Sequence, residues 1–178
     1  MTSLSRVTES ESAARTLADE LAPVLKLELH AADSLAVVGQ SDVVVTCTSA
    51  REAFLTRDHV VRGAFIAAVG ADNHDKHEIA PDLYAACRVT VDSPEQAAEI
   101  GDLHHALACG AVRHEDVHAT LAELVTGAKV GRLFPDDITL FDSTGMGLQD
   151  VAAATAVWRR ARAAGLGVEF AVNGEERS

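Results

Sequence analysis

The chain has 178 residues, of which 48% are apolar, 24% charged and 4% aromatic. This composition excludes a disordered chain and a collagen-like repeat, and it is typical of one globular domain with a sizeable core. Lys and Arg together number 15 against 27 Asp and Glu, a net charge of −12, which disfavours nucleic acid and anionic membrane surfaces as partners.

The cysteine count and the apolar stretches indicate where the protein works. Cys47, Cys87 and Cys109 are odd in number and form no C-x-x-C motif, so we expect reduced thiols and a cytoplasmic protein. Every apolar stretch is shorter than the roughly 20 residues that a bilayer requires, and no signal peptide is visible. We therefore expect no association with a membrane.

The first half of the chain alternates helix and strand periodicities. Apolar residues at helical spacing predict an amphipathic helix over 10–25. Alternating leucines and polar residues predict a short edge strand over 25–30, and a brief helix is expected over 32–40. The runs 43–48 and 64–69 lack polar alternation, which predicts strands buried on both faces, as in a parallel sheet.

The second half continues this alternation. A short helix is predicted over 78–87, with Pro81 in its first turn, followed by a buried strand over 88–91. Ser93 is the expected N-cap of the next helix. The remaining predicted elements are that helix to about residue 109, a helix over 114–125, a strand over 138–142 and a helix over 147–165. The spacing is that of βαβ units, so the predicted fold class is α/β with a Rossmann-like, mostly parallel sheet and flanking helices over 1–172, and a polar tail over 173–178.

Ligands of open parallel sheets bind at the carboxyl ends of the strands, and three predicted strand ends are unusual. After the first, Thr46, Cys47 and Thr48 are small enough for a flat ligand to pass close over the backbone. The alternative is an ordinary strand terminus with local hydroxyl-to-backbone bonds. Because no base is placed beside Cys47, a small buried apolar role is favoured over a nucleophile.

The second strand end, 69–78, carries six ionisable side chains. Gly70 lets the backbone turn or approach a ligand, and Lys76 lies close enough in sequence to lower the pKa of Asp72. One interpretation is a general base or an ammonium-binding carboxylate at Asp72. The other is a solvated loop with Glu78 in the first turn of the following helix.

The third strand end, 141–150, places hydroxyls and glycines before the longest predicted helix. Backbone N–H groups at that helix start could bind an anion or a carboxamide. The alternative is simple N-capping by Ser143 or Thr144.

The histidines invite a metal interpretation because His114 and His118 have i, i+4 spacing and His104 adjoins His105. No acidic or cysteine residue completes a recognised zinc spacing around either pair. We therefore expect no metal site and place these histidines at the surface or its boundary.

Five motifs, taken in order, resemble the ornithine cyclodeaminase/mu-crystallin family over about residues 3–167. They are 42–48, 68–72 with Lys76 and Glu78, 91–92 with Gln96 and Gly101, 131–132, and 141–145. The resemblance implies a homodimer with a Rossmann NAD(P) domain and a separate substrate and dimerisation domain. It also implies hydride chemistry on amino or imino acids, such as the deaminating cyclisation of ornithine to proline.

The resemblance also implies roles for residues at the strand ends. Asp72 would be the acid/base carboxylate beside the substrate amine. The cofactor would meet the other residues of these ends, namely Thr46, Cys47, Thr48, Val69, Gly70, Lys76 and Ser143. Arg6, at the end of the segment 1–6 that corresponds to the second Rossmann strand, could meet the 2′-phosphate of NADP, or it is a surface arginine.

The chain departs from the family pattern because neither G-x-G-x-x-G nor the family's G-x-G-x-Q turn follows its first strand; the G-x-G-x-Q pattern at residues 145–149 comes after the last predicted strand. Residues 1–6 correspond to the second Rossmann strand, so the first strand, the phosphate loop and the basic residues for the substrate carboxylate are not in the sequence. The sheet is therefore expected to be incomplete, with open edges on 1–6 and 43–48. A partner chain, a swapped segment, direct pairing of the two neighbours or an upstream stretch could fill the gap.

Three functional hypotheses follow. The chain is the cofactor domain of an ornithine cyclodeaminase-like enzyme that needs a second copy or a complementing polypeptide; it is an inactive remnant or binding module; or it belongs to an amino-acid dehydrogenase or ketimine reductase of the same family. The expected ligands are NAD or NADP and a small amino or imino acid.

Overall fold

The computed structural model describes residues 3–7, 11–168 and 170, with the side chains of 3–7 and Glu11 excepted. The chain divides into two compact units, Met1–Thr144 and Gly145–Ser178. The predicted polar tail over 173–178 lies outside the described residues. No helix in the described part of the chain has the length and apolar composition needed to cross a bilayer.

The first three elements form a small parallel β-α-β unit. Strand β1 (Ser3–Val7) pairs along its whole length with strand β2 (Glu28–Ala32), and helix α1 (Glu11–Leu25) connects them. The predicted helix is confirmed, whereas the strand begins three residues later than expected. Lys26 causes this shift, because its positive φ of 54° turns the chain out of α1 before β2 can begin.

The other five strands form one parallel sheet in the order β3-β4-β7-β5-β6. Its strands are β3 (Val43–Thr46), β4 (Phe65–Ala68), β5 (Arg88–Val91), β6 (Ala119–Thr120) and β7 (Thr139–Asp142). The helices that follow α1 within Met1–Thr144 are α2 (Pro81–Ala86), α3 (Pro94–Ile100), α4 (Asp102–Ala108) and α5 (Leu121–Val125), with 3₁₀ turns at Leu35–Gln40, Arg57–His59 and His114–Asp116. The α/β class with a mostly parallel, Rossmann-like sheet is confirmed.

Local capping explains where several helices begin. Pro81 is the first residue of α2, and the Ser93 hydroxyl accepts a hydrogen bond from the Gln96 N–H at the start of α3. The single helix predicted to run on to residue 109 is wrong, because Gly101 is extended and separates α3 from α4. Gly101 is needed there, since an added Cβ would lie 3.0 Å from both carboxylate oxygens of Asp142.

The helix predicted over 114–125 is also wrong. Only its ends are helical, and between them Ala119 and Thr120 pair with β5 as the edge strand β6. Thr120 then starts α5 through a capping box with Glu123. The brief helix predicted over 32–40 is a 3₁₀ turn, Leu35–Gln40, that follows the end of β2 at Ala32.

The core lies on one face of the five-stranded sheet. Strand residues that point to this face pack with α2, α3 and α4. The cluster includes Val44, Ile66, Val89, Val91, Leu140, Leu83, Tyr84, Ala97, Leu103 and Ala106.

The opposite face is open at β3. Val43 and Val45 are 60% and 64% exposed, so the prediction of a strand buried on both faces is wrong for β3. Among the described strands, β1 pairs only with β2 and β3 only with β4. The two sheets therefore do not close the predicted gap by pairing directly, and one edge of β3 retains its unpaired backbone groups.

The second unit contains helix α6 (Gly147–Ala163), which begins at the predicted position. Its apolar side chains Leu148, Val151, Val157 and Trp158 are more than half exposed. The Arg162 guanidinium lies 5.2 Å from the centre of the Trp158 ring.

Candidate functional site

The sheet register brings the three predicted strand ends together. Thr46, Ala68 and Asp142 lie in one row across β3, β4 and β7. The Val69 N–H donates to the Thr46 carbonyl at 2.9 Å, and the Ser143 N–H donates to the Ala68 carbonyl at 2.9 Å. The three loops therefore leave the sheet side by side at its carboxyl edge, where ligands of parallel sheets bind.

Asp72 and Lys76 form an ion pair in the loop that follows β4. Lys76 Nζ lies 2.8 Å from Asp72 Oδ1, and the Asn73 amide donates to the same oxygen at 3.1 Å. The Asp72 side chain is 60% exposed. The hydrogen bond from Lys76, with its positive charge and the bond from Asn73, lowers the pKa of Asp72. The predicted lowering by Lys76 is confirmed, and the group is a carboxylate at neutral pH.

Glu78 is fully buried, and the sequence did not identify it as a site residue. Its Oε2 accepts hydrogen bonds from the Thr46 hydroxyl at 2.6 Å and the Gly70 N–H at 3.1 Å, and its Oε1 accepts one from the Thr48 N–H at 2.6 Å. The prediction of Glu78 on a helix is wrong, because α2 begins only at Pro81. One carboxylate therefore links the ends of β3 and β4.

Gly70 is tightly packed against this carboxylate. A Cβ at Gly70 would overlap the Glu78 carboxylate, whereas one at Gly147 would meet no atom within 4 Å. We predict that Gly70→Ala lowers the free energy of unfolding by about 2–4 kcal/mol, because the added methyl group must displace a buried acceptor of three hydrogen bonds. Urea denaturation measures this change, and Gly147→Ala, the matched control, is expected to stay within about 0.5 kcal/mol of the unmodified chain.

Two further buried carboxyls lie behind Glu78. Asp102 Oδ1 accepts hydrogen bonds from the Glu78 N–H at 2.8 Å and the Ile79 N–H at 3.0 Å. Asp142 Oδ2 accepts from the Leu103 N–H at 2.9 Å and the Tyr84 hydroxyl at 3.1 Å. The second oxygens, Asp102 Oδ2 and Asp142 Oδ1, are buried and have no hydrogen-bond partner.

Burial determines the protonation of these groups. Desolvation raises the pKa of Asp102 to about 6, and the nearby charge of Glu78 adds to the effect. Desolvation, together with the charge of Asp102, raises the pKa of Asp142 to about 7. The pKa of the buried Tyr84 hydroxyl is raised by desolvation and by Asp142.

The loop after β7 is held by Asp92, at the end of β5. Asp92 Oδ2 accepts hydrogen bonds from the Ser143 hydroxyl at 3.1 Å and the Thr144 N–H at 3.0 Å. The Thr144 hydroxyl donates to Asp92 Oδ1 at 3.1 Å. The N-cap position of α6 is Met146, so the alternative of capping by Ser143 or Thr144 is wrong.

The remaining predicted site residues have different environments. Thr46 is buried, with its hydroxyl bound to Glu78. Thr48 is exposed, and its hydroxyl accepts from the Ala50 N–H at 3.1 Å, the local bonding that the alternative interpretation expected. Val69 is 39% exposed. The Arg6 side chain lies outside the described residues, so its contact with a cofactor stays a prediction.

Cys47 is exposed, which contradicts the expected buried role. It continues the alternation that places Val43 and Val45 on the open face of β3. Since that face is not covered, Cys47 is also accessible.

The comparison with known proteins identifies the family. The sequence profile of the ornithine cyclodeaminase/mu-crystallin family matches residues 2–165. The chain belongs to this family. The family members that it resembles in sequence include an alanine dehydrogenase from Archaeoglobus fulgidus, which is 39% identical over 126 residues, covering 71% of the chain and 39% of that protein.

Solved structures of family members share the fold. An archaeal alanine dehydrogenase dimer with bound NAD superposes with a TM-score of 0.88 at 30% identity, covering 97% of this chain and 53% of that one. The iminosuccinate reductase of Paracoccus denitrificans in complex with NAD⁺ gives 0.86 at 34% identity, covering 94% and 51%. The Δ1-pyrroline-2-carboxylate reductase of Thermococcus litoralis, in complex with NADH and L-proline, gives 0.90 at 26% identity, covering 94% and 53%. The chain thus spans about half the length of these family members.

A lysine cyclodeaminase structure is more distant. Its TM-score is 0.74 at 24% identity, over 96% of this chain and 56% of that one. This likeness concerns the fold alone.

Proposed function

We propose that the chain is the cofactor-domain part of an NAD-linked dehydrogenase or reductase that acts on a small amino or imino acid. The supporting observation is the exposed Asp72 carboxylate, ion-paired with Lys76 where the chain leaves β4. This loop lies between the ends of β3 and β7, at the edge of the sheet where ligands bind. A carboxylate in this position suits proton exchange with a substrate nitrogen.

Asp72 is assigned the acid/base role. Lys76 and Asn73 both contact Oδ1, so Oδ2 is the atom that we assign to the substrate nitrogen. In amine oxidation Oδ2 accepts a proton from that nitrogen, and in imine reduction it returns one. A bound nicotinamide supplies the hydride acceptor or donor for these reactions. Lys76 keeps the carboxylate ionised and oriented between turnovers.

The relatives favour a dehydrogenase or reductase over a cyclodeaminase. The alanine dehydrogenase and the two imine reductases superpose with TM-scores of 0.86–0.90 at 26–34% identity. The deaminating cyclisation of ornithine remains the second candidate reaction. We propose NAD as the cofactor, because the three structures were solved with NAD, NAD⁺ or NADH. The predicted contact of Arg6 with a 2′-phosphate would instead favour NADP.

A second polypeptide is part of this proposal. Among the described strands, β1 and β3 each have one unpaired edge, and Val43 and Val45 are exposed. These features are suited to an added parallel strand and the helix that follows it. Such a segment would also bring a glycine-rich turn directly after its strand, where a dinucleotide-binding fold holds the pyrophosphate. Either a second copy of the chain or a complementing polypeptide could supply it. The three free thiols are consistent with a cytoplasmic location.

The alternative function is a non-catalytic binding module. It is favoured by the open edge of β3, which offers main-chain hydrogen bonds to an extended segment of another protein. This alternative and the enzyme differ in whether an assembled form binds a dinucleotide.

We predict that the chain alone shows no saturable binding of NADH or NADPH at micromolar concentrations, because no glycine-rich turn follows its first strand. Co-expression with the part of the archaeal alanine dehydrogenase that the chain does not cover is expected to restore binding. Calorimetric titration of both preparations with both cofactors measures this.

Micromolar binding by the chain alone would show that the residues present already hold the pyrophosphate. Stable co-purification without binding of either cofactor would favour the binding module. A preference for NADPH that Arg6→Ala abolishes would confirm the role assigned to Arg6.

A further inference from the structure

Glu78 is a buried carboxylate that the proposed chemistry does not use. Its three hydrogen-bond donors come from two different loops: the Thr46 hydroxyl and Thr48 N–H at the end of β3, and the Gly70 N–H at the end of β4. Buried carboxylates are costly unless several donors satisfy them, and two of these donors are main-chain groups. The position of Glu78 therefore fixes the backbone of both loops.

Hydrogen bonds of the Glu78 backbone fix the position of Glu78 itself. Its N–H donates to Asp102, and its carbonyl accepts hydrogen bonds from the N–H groups of Phe54 and Leu55 at 3.2 Å and 3.1 Å. The neighbouring residue Ile79 forms a parallel bridge with Leu55. The backbone N–H and carbonyl of Glu78 are thus both hydrogen-bonded, and this fixes the point from which its side chain extends.

The loop from Gly70 to Glu78 carries Asp72. At the start of this loop, the Gly70 N–H donates a hydrogen bond to the Glu78 carboxylate. At its end, the backbone N–H of Glu78 itself donates to Asp102. Between them the Lys76 carbonyl contacts His105 Nε2 at 2.9 Å. Asp72 and Lys76 therefore lie on a short loop that is closed by Glu78.

We propose that Glu78 is a positioning residue, whose carboxylate sets the backbone at the ends of β3 and β4 so that Asp72 faces the substrate and Thr48 keeps its place at the carboxyl edge of the sheet. This inference rests on the proposed function of Asp72. It requires both the charge and the length of Glu78. Glutamine replaces one acceptor oxygen by an N–H₂ group that faces donors, and aspartate is one methylene too short to reach both loops.

The test uses Glu78→Gln, with the exposed Glu99→Gln as a matched control, in the full chain. Amide hydrogen exchange is measured by NMR. We expect exchange at Thr48 and Gly70 to accelerate on the order of tenfold or more in the Glu78 variant, with strand amides such as Ile66 much less affected. The control is expected to leave all three amides unchanged.

The titration of Asp72 is the readout that separates positioning from stability. In the Glu78→Gln variant the loop no longer holds Asp72 against Lys76, so we expect the carboxyl pKa of Asp72 to rise toward its ordinary value. If Thr48, Gly70 and Ile66 accelerate by the same factor and Asp72 titrates as before, Glu78 only stabilises the fold and the proposal is overturned.

Thr46→Val covers the case in which Glu78→Gln does not fold. It removes one of the three donors, so we expect a smaller acceleration at Thr48 and Gly70, and Thr46→Ser should restore slow exchange. Unchanged exchange in a folded Thr46→Val variant would contradict the proposal. Because exchange and the Asp72 titration need no cofactor, they test Glu78 even if the assembled protein shows no turnover, an outcome that would refute the proposed function alone.

Discussion

Replacing Asp72 with asparagine is expected to lower the turnover of the assembled enzyme by about 10²–10⁴-fold, the usual contribution of a positioned acid or base. The substitution preserves the size of the side chain and an oxygen that can contact Lys76 Nζ, now 2.8 Å from Asp72. It removes the negative charge and, with it, the ability to exchange a proton with the substrate nitrogen. Turnover is measured by NADH absorbance with alanine and with pyruvate plus ammonia, in the chain co-expressed with the complementing part of the archaeal alanine dehydrogenase.

The affinity for NADH is expected to be unchanged, since Asp72 is assigned to the substrate and not to the cofactor. Asp75→Asn is the matched control, because Asp75 is an exposed carboxylate in the same loop whose partners are Arg51 and His74. Retained turnover in the Asp72 variant would reject the assigned role. Equal losses in both variants would indicate that the charge of the loop matters and not a proton transfer at Asp72.

Elements with a clear local period could be predicted from the sequence. The spacing of apolar residues identified α1 and α6, and the unbroken apolar runs identified β3, β4 and β7. Strand β6 could not be found in this way. It is only two residues long, and it lies between two short helical segments whose combined pattern resembles one helix.

The candidate site was predictable where its contacts are local. Asp72 and Lys76 are four residues apart, so their ion pair follows from the sequence of one loop. The contacts of Glu78 span 32 residues to Thr46 and 24 residues to Asp102. No period or spacing indicates such pairs, and a polar run before α2 looks like a solvated loop. The one available signal was the presence of Glu78 in a motif shared with the family.

Burial on the open face of the sheet also could not be predicted. Val43, Val45 and Cys47 have the composition of a covered strand, yet they are exposed. The burial of a strand depends on which elements pack on it. An apolar strand sequence shows that the strand can be buried, but not whether another element covers it. This mismatch is what the proposed second polypeptide explains.

The buried carboxyls Asp102 and Asp142 make the stability of the fold depend on pH. Their ordinary pKa of 3.8 is raised in the folded chain to about 6 and about 7, mainly by desolvation. A raised acid pKa means that the folded state holds a proton that the unfolded state has lost. The resulting stability is fully present below about pH 4 and is lost as the pH rises toward about 7.

We predict that Asp142→Asn removes most of this loss. The asparagine oxygen can still accept from the Leu103 N–H and the Tyr84 hydroxyl, the present partners of Asp142 Oδ2. The amide does not ionise, so it places no charge in this buried site at any pH. The unfolding free energy of the variant minus that of the unmodified chain should increase by about 2–4 kcal/mol from pH 4.5 to pH 8. This follows from about 1.4 kcal/mol for each pH unit over which only the folded chain holds the proton.

Urea denaturation of both chains at several pH values measures this difference, in which the contributions of titrating groups that do not interact with Asp142 cancel. Asp33→Asn, on an exposed residue between β2 and the 3₁₀ turn, is the matched control and should change little with pH. A difference between Asp142→Asn and the unmodified chain that stays constant from pH 4.5 to pH 8 would mean that Asp142 is ionised throughout. In that case its charge would need a cation or water that reaches Oδ1, and the core at the end of β7 would be more open than the contacts of Tyr84 and Leu103 indicate.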